Sequence, residues 1–271
     1  MNEMTRLYSP SLWVPNKTRD EVMNDFFAKI SGAFDDLNND RNVSRKLDVI
    51  YGENEHQKVD IWGNVTDKLL IFIHGGYWAA GTRKDCLTPA RCALDNGWAI
   101  ASVGYGLAVN GRNLTETVND AVRAVEFLLK TFPNVTNVIV GGHSAGAHLA
   151  VQAVTRLRKQ QVRGMLLFSG CYFLEDLVDT EIGADINLTL EEAEINSCRL
   201  SSLNGLILRT LVVLGLQEAP KLVEQNRTFV EKRDDTEIAE FNFSSHFTIM
   251  TNLTDENSGE YKAMSKFLNS F

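Results

Sequence analysis

Residues 138–154 read as an apolar run, Val138-Ile139-Val140-Gly141, then Gly142-His143-Ser144-Ala145-Gly146, then Ala147-His148-Leu149-Ala150-Val151-Gln152-Ala153-Val154. The first run has the length of a buried strand and the last has helical composition, so the chain must reverse sharply between them. Small residues two before and two after Ser144 permit that reversal and lift its Oγ clear of the backbone. Alone, the spacing also suits an ordinary glycine-rich helix start. A second motif favours the sharper reading.

That motif is His74-Gly75-Gly76-Tyr77-Trp78, which follows the strand-like run Lys68-Leu69-Leu70-Ile71-Phe72-Ile73. Two glycines after a strand let backbone N–H groups face a bound carbonyl with no Cβ in the way. A Gly-Gly pair is otherwise a plain turn. Together with the serine motif, Gly75, Gly76 and the N–H of Ala145 make a candidate oxyanion hole.

A serine hydroxyl is a weak nucleophile at neutral pH and needs a neutral imidazole to take its proton and later return it to the leaving group. In α/β-hydrolases the chain runs nucleophile, acid, histidine, and of the five histidines only His246 lies far downstream of Ser144. It follows the alternating segment Glu237–Phe243, which predicts a strand ending beside it. The acid belongs after the preceding strand, Leu211-Val212-Val213-Leu214, and the first carboxylate there is Glu218. It would orient the imidazole and stabilise the imidazolium. His74 is expected to tie its own loop by a hydrogen bond, and His56 sits in a predicted hairpin turn. His143 and His148 read as wall or core, and His148 joins Tyr77 and Trp78 as candidate substrate-binding residues. Core packing is the competing reading for Tyr77 and Trp78.

The pairing of His74-Gly75-Gly76-Tyr77-Trp78 with Gly142-His143-Ser144-Ala145-Gly146-Ala147-His148-Leu149 resembles the kynurenine formamidase (arylformamidase) family of the α/β-hydrolase superfamily. The similarity continues through Gly104-Tyr105-Gly106-Leu107, Leu166 to Leu174, the acid loop with Pro220, and Ser245-His246-Phe247. It implies hydrolysis of N-formyl-L-kynurenine to L-kynurenine and formate, and an N-terminal segment covering part of the active-site mouth. Three positions depart from the family pattern: Glu218, Ser245 and Phe173 stand where aspartates are usual. A carboxylesterase with the same machinery, or a catalytically silent binding module, are the competing functions.

The 271 residues, 44% of them hydrophobic, suffice for one domain with a substantial core. Short apolar runs separated by helical patterns predict an α/β fold, with a mainly parallel central sheet flanked by helices. Arg45–Tyr51 and Gln57–Trp62 are expected to add an antiparallel N-terminal edge. Helices are predicted from Thr18 to about Leu37, over Arg83–Asn96, and over Leu114–Lys130, with the pairs Thr18/Glu21 and Asn113/Glu116 as capping boxes. Residues 175–204 form an acidic excursion, helical near Thr189–Ile195, that reads equally as a lid or a solvated loop. A net charge of −8 without a basic cluster argues against nucleic acid and anionic membranes as partners. No apolar run approaches the ~20 residues of a membrane span, and the start lacks a signal-peptide core. The four cysteines show no metal-binding or disulfide spacing. The expectation is a cytoplasmic protein with a small-molecule substrate, no metal and no cofactor, and with a homodimer left open.

Overall fold

The computed structural model describes residues 1–233 and 235–271. One eight-stranded sheet is built from β1 (Arg45–Ile50), β2 (Lys58–Trp62), β3 (Lys68–Ile73), β4 (Ala99–Val103), β5 (Asn137–His143), β6 (Val162–Phe168), β7 (Arg209–Gln217) and β8 (Thr236–Ser245). Their spatial order is β1-β2-β4-β3-β5-β6-β7-β8. The pairs β1/β2 and β2/β4 are antiparallel, and all later neighbours are parallel. The antiparallel edge therefore lies where the sequence places it. Strands β3 and β4 are buried almost throughout, because helices cover both faces of the sheet, and so they read as continuous apolar runs.

The helices are α1 (Glu3–Leu7), α2 (Arg19–Asn39), α3 (Ala90–Asp95), α4 (Leu114–Thr131), α5 (Ala145–Leu157), α6 (Glu181–Asp185), α7 (Leu190–Asn196), α8 (Pro220–Glu231), α9 (Thr248–Thr251) and α10 (Gly259–Leu268). Helices α4, α5 and α8 pack one side of the sheet through Leu114, Val118, Val125, Leu149 and Leu222, while α3 and α10 pack the other through Ala93, Met264 and Leu268. Both expected capping boxes are present, Thr18 with Glu21 on α2 and Asn113 with Glu116 on α4. The helix expected over Arg83–Asn96 is instead a short 3₁₀ turn, Arg83–Cys86, followed by α3. Pro89 explains the break, since it lacks an N–H and pushes Thr88 out of the helical region. Among the described residues no helix is long and apolar enough to cross a membrane.

Strand order reverses at β3. The chain goes from β3 out to β4, returns across it to β5, and continues outward through β8. A crevice opens at the carboxyl ends of strands where such a reversal occurs. Ile73 of β3 pairs with Gly142 of β5, so the loops after these two strands, carrying the Gly-Gly pair and Ser144, emerge side by side.

Candidate active site

Ser144 stands between β5 and α5 with φ 56° and ψ −123°, a conformation that strains any residue with a Cβ. Its N–H donates to the Phe168 carbonyl at 2.8 Å, which holds the turn. A Cβ on Gly142 would collide with the backbone of Gly146, and one on Gly146 with the carbonyls of Ile73 and His74. Both glycines are thus demanded by close backbone approach. The Ser144 side chain makes no capping hydrogen bond to α5, and it lines a cavity of about 470 Å³.

The loop after β3 presses against this turn. A Cβ on Gly75 would lie 3.0 Å from Ser144 Cβ and 2.8 Å from the His143 carbonyl. Gly76 has φ +107°, and Tyr77 and Trp78 follow with φ 48° and 59°. The Gly76 carbonyl accepts from Ala79 N and Ala80 N, both at 3.0 Å, and so closes the loop on itself. Among the described residues the N–H groups of Gly75, Gly76 and Ala145 donate to no backbone carbonyl outside regular elements. They stay available to an external acceptor. His74 braces the loop: its Nδ1–H donates to Gly75 O at 2.8 Å, and its ring stacks on Tyr105 at 4.1 Å. The Tyr105 hydroxyl in turn donates to His74 O at 2.9 Å. Burial pushes the His74 pKa down to about 4, so the ring is neutral.

Glu218 and His246 come directly after β7 and β8, neighbours in the sheet. His246 Nδ1–H donates to Glu218 Oε2 at 2.6 Å, while Glu218 Oε1 accepts from Ala219 N at 2.7 Å. The carboxylate is therefore fixed at both oxygens, and the imidazole presents Nε2 as its free acceptor. His143 braces the same ring from below, with centroids 4.4 Å apart, and its Nε2–H donates to the His246 carbonyl at 2.9 Å. Burial, with His246 alongside, holds the His143 pKa well below its ordinary value. Ser144 and His246 both line the cavity. The Ser144 side chain makes no cap hydrogen bond, and the Oγ–Nε2 link is not closed here. Links of this kind commonly tighten only with substrate bound.

Tyr77 lines the cavity, and its hydroxyl donates to the Tyr8 carbonyl at 2.5 Å. Trp78 and His148, expected with it, do not reach the cavity and are fully buried. Trp78 Nε1–H donates to His148 Nδ1 at 3.2 Å, and His148 Nε2–H donates to Asn196 O at 2.6 Å. An indole N–H and an imidazole buried in the interior both require partners, and here they supply each other. Burial pushes the His148 pKa down to about 4. Met23, Phe26 and Ile30 of α2, in the N-terminal segment expected at the mouth, line the cavity, as do Ile182 and Asp185 of α6 within the excursion of residues 175–204; none of these five side chains is singled out by the sequence. The i, i+3, i+7 spacing on α2 was the available signal, but it does not distinguish core from cavity.

A family model described as the alpha/beta hydrolase fold matches residues 70–205, half of the chain. The chain belongs to the α/β-hydrolase fold family. It is 27% identical to the kynurenine formamidase of Salmo salar, with 96% of this chain and 92% of that protein covered. Among solved structures, a candidate thioesterase of Silicibacter sp. superposes with a TM-score of 0.81 at 24% identity, covering 97% of this chain and 98% of the other. An esterase of Pyrobaculum calidifontis gives 0.70 at 16% identity, covering 97% and 98%. Both share the α/β-hydrolase fold. In this α/β-hydrolase, Ser144, Glu218 and His246 directly follow strands β5, β7 and β8, with β6 lying between the first two.

Proposed function

We propose that the protein is a serine hydrolase that cleaves the aryl formamide of N-formyl-L-kynurenine to L-kynurenine and formate. The observation that carries this reading is the 2.6 Å bond from His246, which lines the cavity together with Ser144, to the buried Glu218 behind it. The kynurenine formamidase of Salmo salar, similar over 96% of this chain, supports the choice of substrate.

In this reading Ser144 Oγ attacks the formyl carbon as His246 Nε2 takes its proton. The N–H groups of Gly75, Gly76 and Ala145 hold the developing oxyanion. The imidazolium, steadied by Glu218, then protonates the aniline nitrogen, and the arylamine leaves. Water activated by the same imidazole releases formate from the formyl-serine. A formyl group carries only hydrogen on its acyl side, and Tyr77, pinned through its hydroxyl to Tyr8, walls the cavity beside the Gly-Gly loop.

A small-acyl carboxylesterase is the second reading, favoured by a cavity of about 470 Å³, ample for a larger acyl group. Formate release from N-formyl-L-kynurenine, compared with hydrolysis of acetyl and butyryl esters, separates the two. Butyryl esters turning over as fast as the formamide would overturn the formamidase assignment. A catalytically silent module would leave Ser144 unlabelled by an organophosphorus probe.

A further inference from the structure

We propose that the outer part of the cavity is a subsite for an arylamine leaving group bearing a carboxylate and an ammonium, with Arg19 taking the carboxylate and Asp185 the ammonium. The choice of an arylamine rests on the formamidase reading; the charge pattern does not. Arg19, Met23, Phe26 and Ile30 of α2 all line the cavity, and their i, i+4, i+7, i+11 spacing puts them on one helical face. The order along that face matters. Phe26 packs against Phe247 at 5.2 Å and His143 at 6.4 Å, which marks the end next to His246. Arg19 lies seven residues earlier, on the order of 10 Å along the axis at 1.5 Å per residue. The wall is thus apolar and aromatic near the candidate nucleophile and cationic at its outer end.

The other charged groups around the cavity are engaged. The Met1 ammonium pairs with Glu181 at 2.7 Å, and Asp85 accepts from Thr82 N at 2.7 Å as a helix cap. His246 is held by Glu218. Among the described residues neither Arg19 nor Asp185 enters an ion pair or a side-chain hydrogen bond, and both are exposed at the cavity. One cation and one anion without partners suit a zwitterion. A neutral leaving group would use neither. In an ortho-acylated formanilide with an amino-acid tail, the formyl carbon lies on the order of 7 Å from the α-carbon at ordinary bond lengths. An arginine side chain spans the remainder.

The test is calorimetric titration of the full chain with L-kynurenine and with kynuramine, its decarboxylated analogue. Wild type is expected to bind L-kynurenine about tenfold tighter, as a charge-assisted guanidinium–carboxylate pair allows. Arg19→Gln should erase that preference and Arg19→Lys restore part of it, while Asp185→Asn should weaken both amines. Equal affinities in wild type, no binding of L-kynurenine, or a preference that survives Arg19→Gln would each overturn the subsite. Formate release from N-formyl-L-kynurenine and formanilide is measured alongside. If neither releases formate, the formamidase reading fails while the titration still decides the subsite. If both are cleaved but the titration shows no preference, the subsite fails and the formamidase reading stands.

Discussion

The bond between His246 Nδ1 and Glu218 Oε2 makes the carboxylate the residue on which the imidazole's orientation depends. Glu218→Gln keeps the shape but offers an amide in place of the acceptor, so the wrong tautomer is favoured. Under the proposed roles kcat should fall by about 10³- to 10⁴-fold with little change in KM, measured by formate release. Ser144→Ala should remove nearly all turnover, leaving what binding and backbone N–H groups supply. Asp179→Asn, in the acidic excursion, should change little, and a large loss there would displace Glu218 from its role. The buried neutral histidines make a separate prediction. His74 and His148 have pKa values near 4 in the folded chain against an ordinary 6.5. Between those values only the unfolded chain binds the protons. Stability is therefore complete above about pH 6.5 and declines as pH drops towards 4, by about 1.4 kcal/mol per pH unit for each ring. Urea midpoints at pH 7 and pH 5 measure this, and equal midpoints would contradict it.

At the scale of elements, the loop after β3 is held from two sides. His74 braces it through Tyr105, and Trp78 ties it to α5 and to the carbonyl at the end of α7 through His148. Trp78→Phe removes the indole donor and leaves His148 Nδ1 buried without a partner, so unfolding should become easier by about 1–3 kcal/mol. A denaturant titration reads this directly. The N-terminal segment is tied to the excursion of residues 175–204 by polar links: Met1 to Glu181, Asn2 to the Asp179 carbonyl, and Glu181 N to Thr5 Oγ1. Tyr8 adds the acceptor for Tyr77 and is itself held by Gln225. Deleting residues 1–9 frees Tyr77 and opens the mouth. KM for an aryl formamide is expected to rise several-fold more than kcat falls, and a change in kcat alone would show that the segment does not shape the substrate site.

For the whole molecule, the reversal of strand order at β3 is what makes short motifs into one site. The turn at Ser144 and the Gly-Gly loop were legible in the sequence because each is local: a strand end, glycines where a Cβ would collide, and a helix start. His246 and Glu218 were legible through chain order and the apolar runs before them, since both fall at the first positions after their strands. Trp78 and His148 were left between substrate binding and core packing because the same residue types serve a cavity wall or a core. Only packing against α7, whose final carbonyl at Asn196 accepts from His148, settles which. The start of α2 was legible as a capping box and the family resemblance put its segment near the mouth, but which of its side chains face the cavity was not legible, because that depends on where a helix far along the chain from Ser144 comes to rest. By itself the sequence determined most of the elements, their order and the placing of Ser144, Glu218 and His246 at strand ends, since these follow from backbone sterics and hydrophobic period over a few neighbours. The tertiary structure alone decided which side chains face the cavity, which carboxylate oxygen meets the imidazole and which charges are left unpaired, since those depend on contacts between segments far apart in the chain.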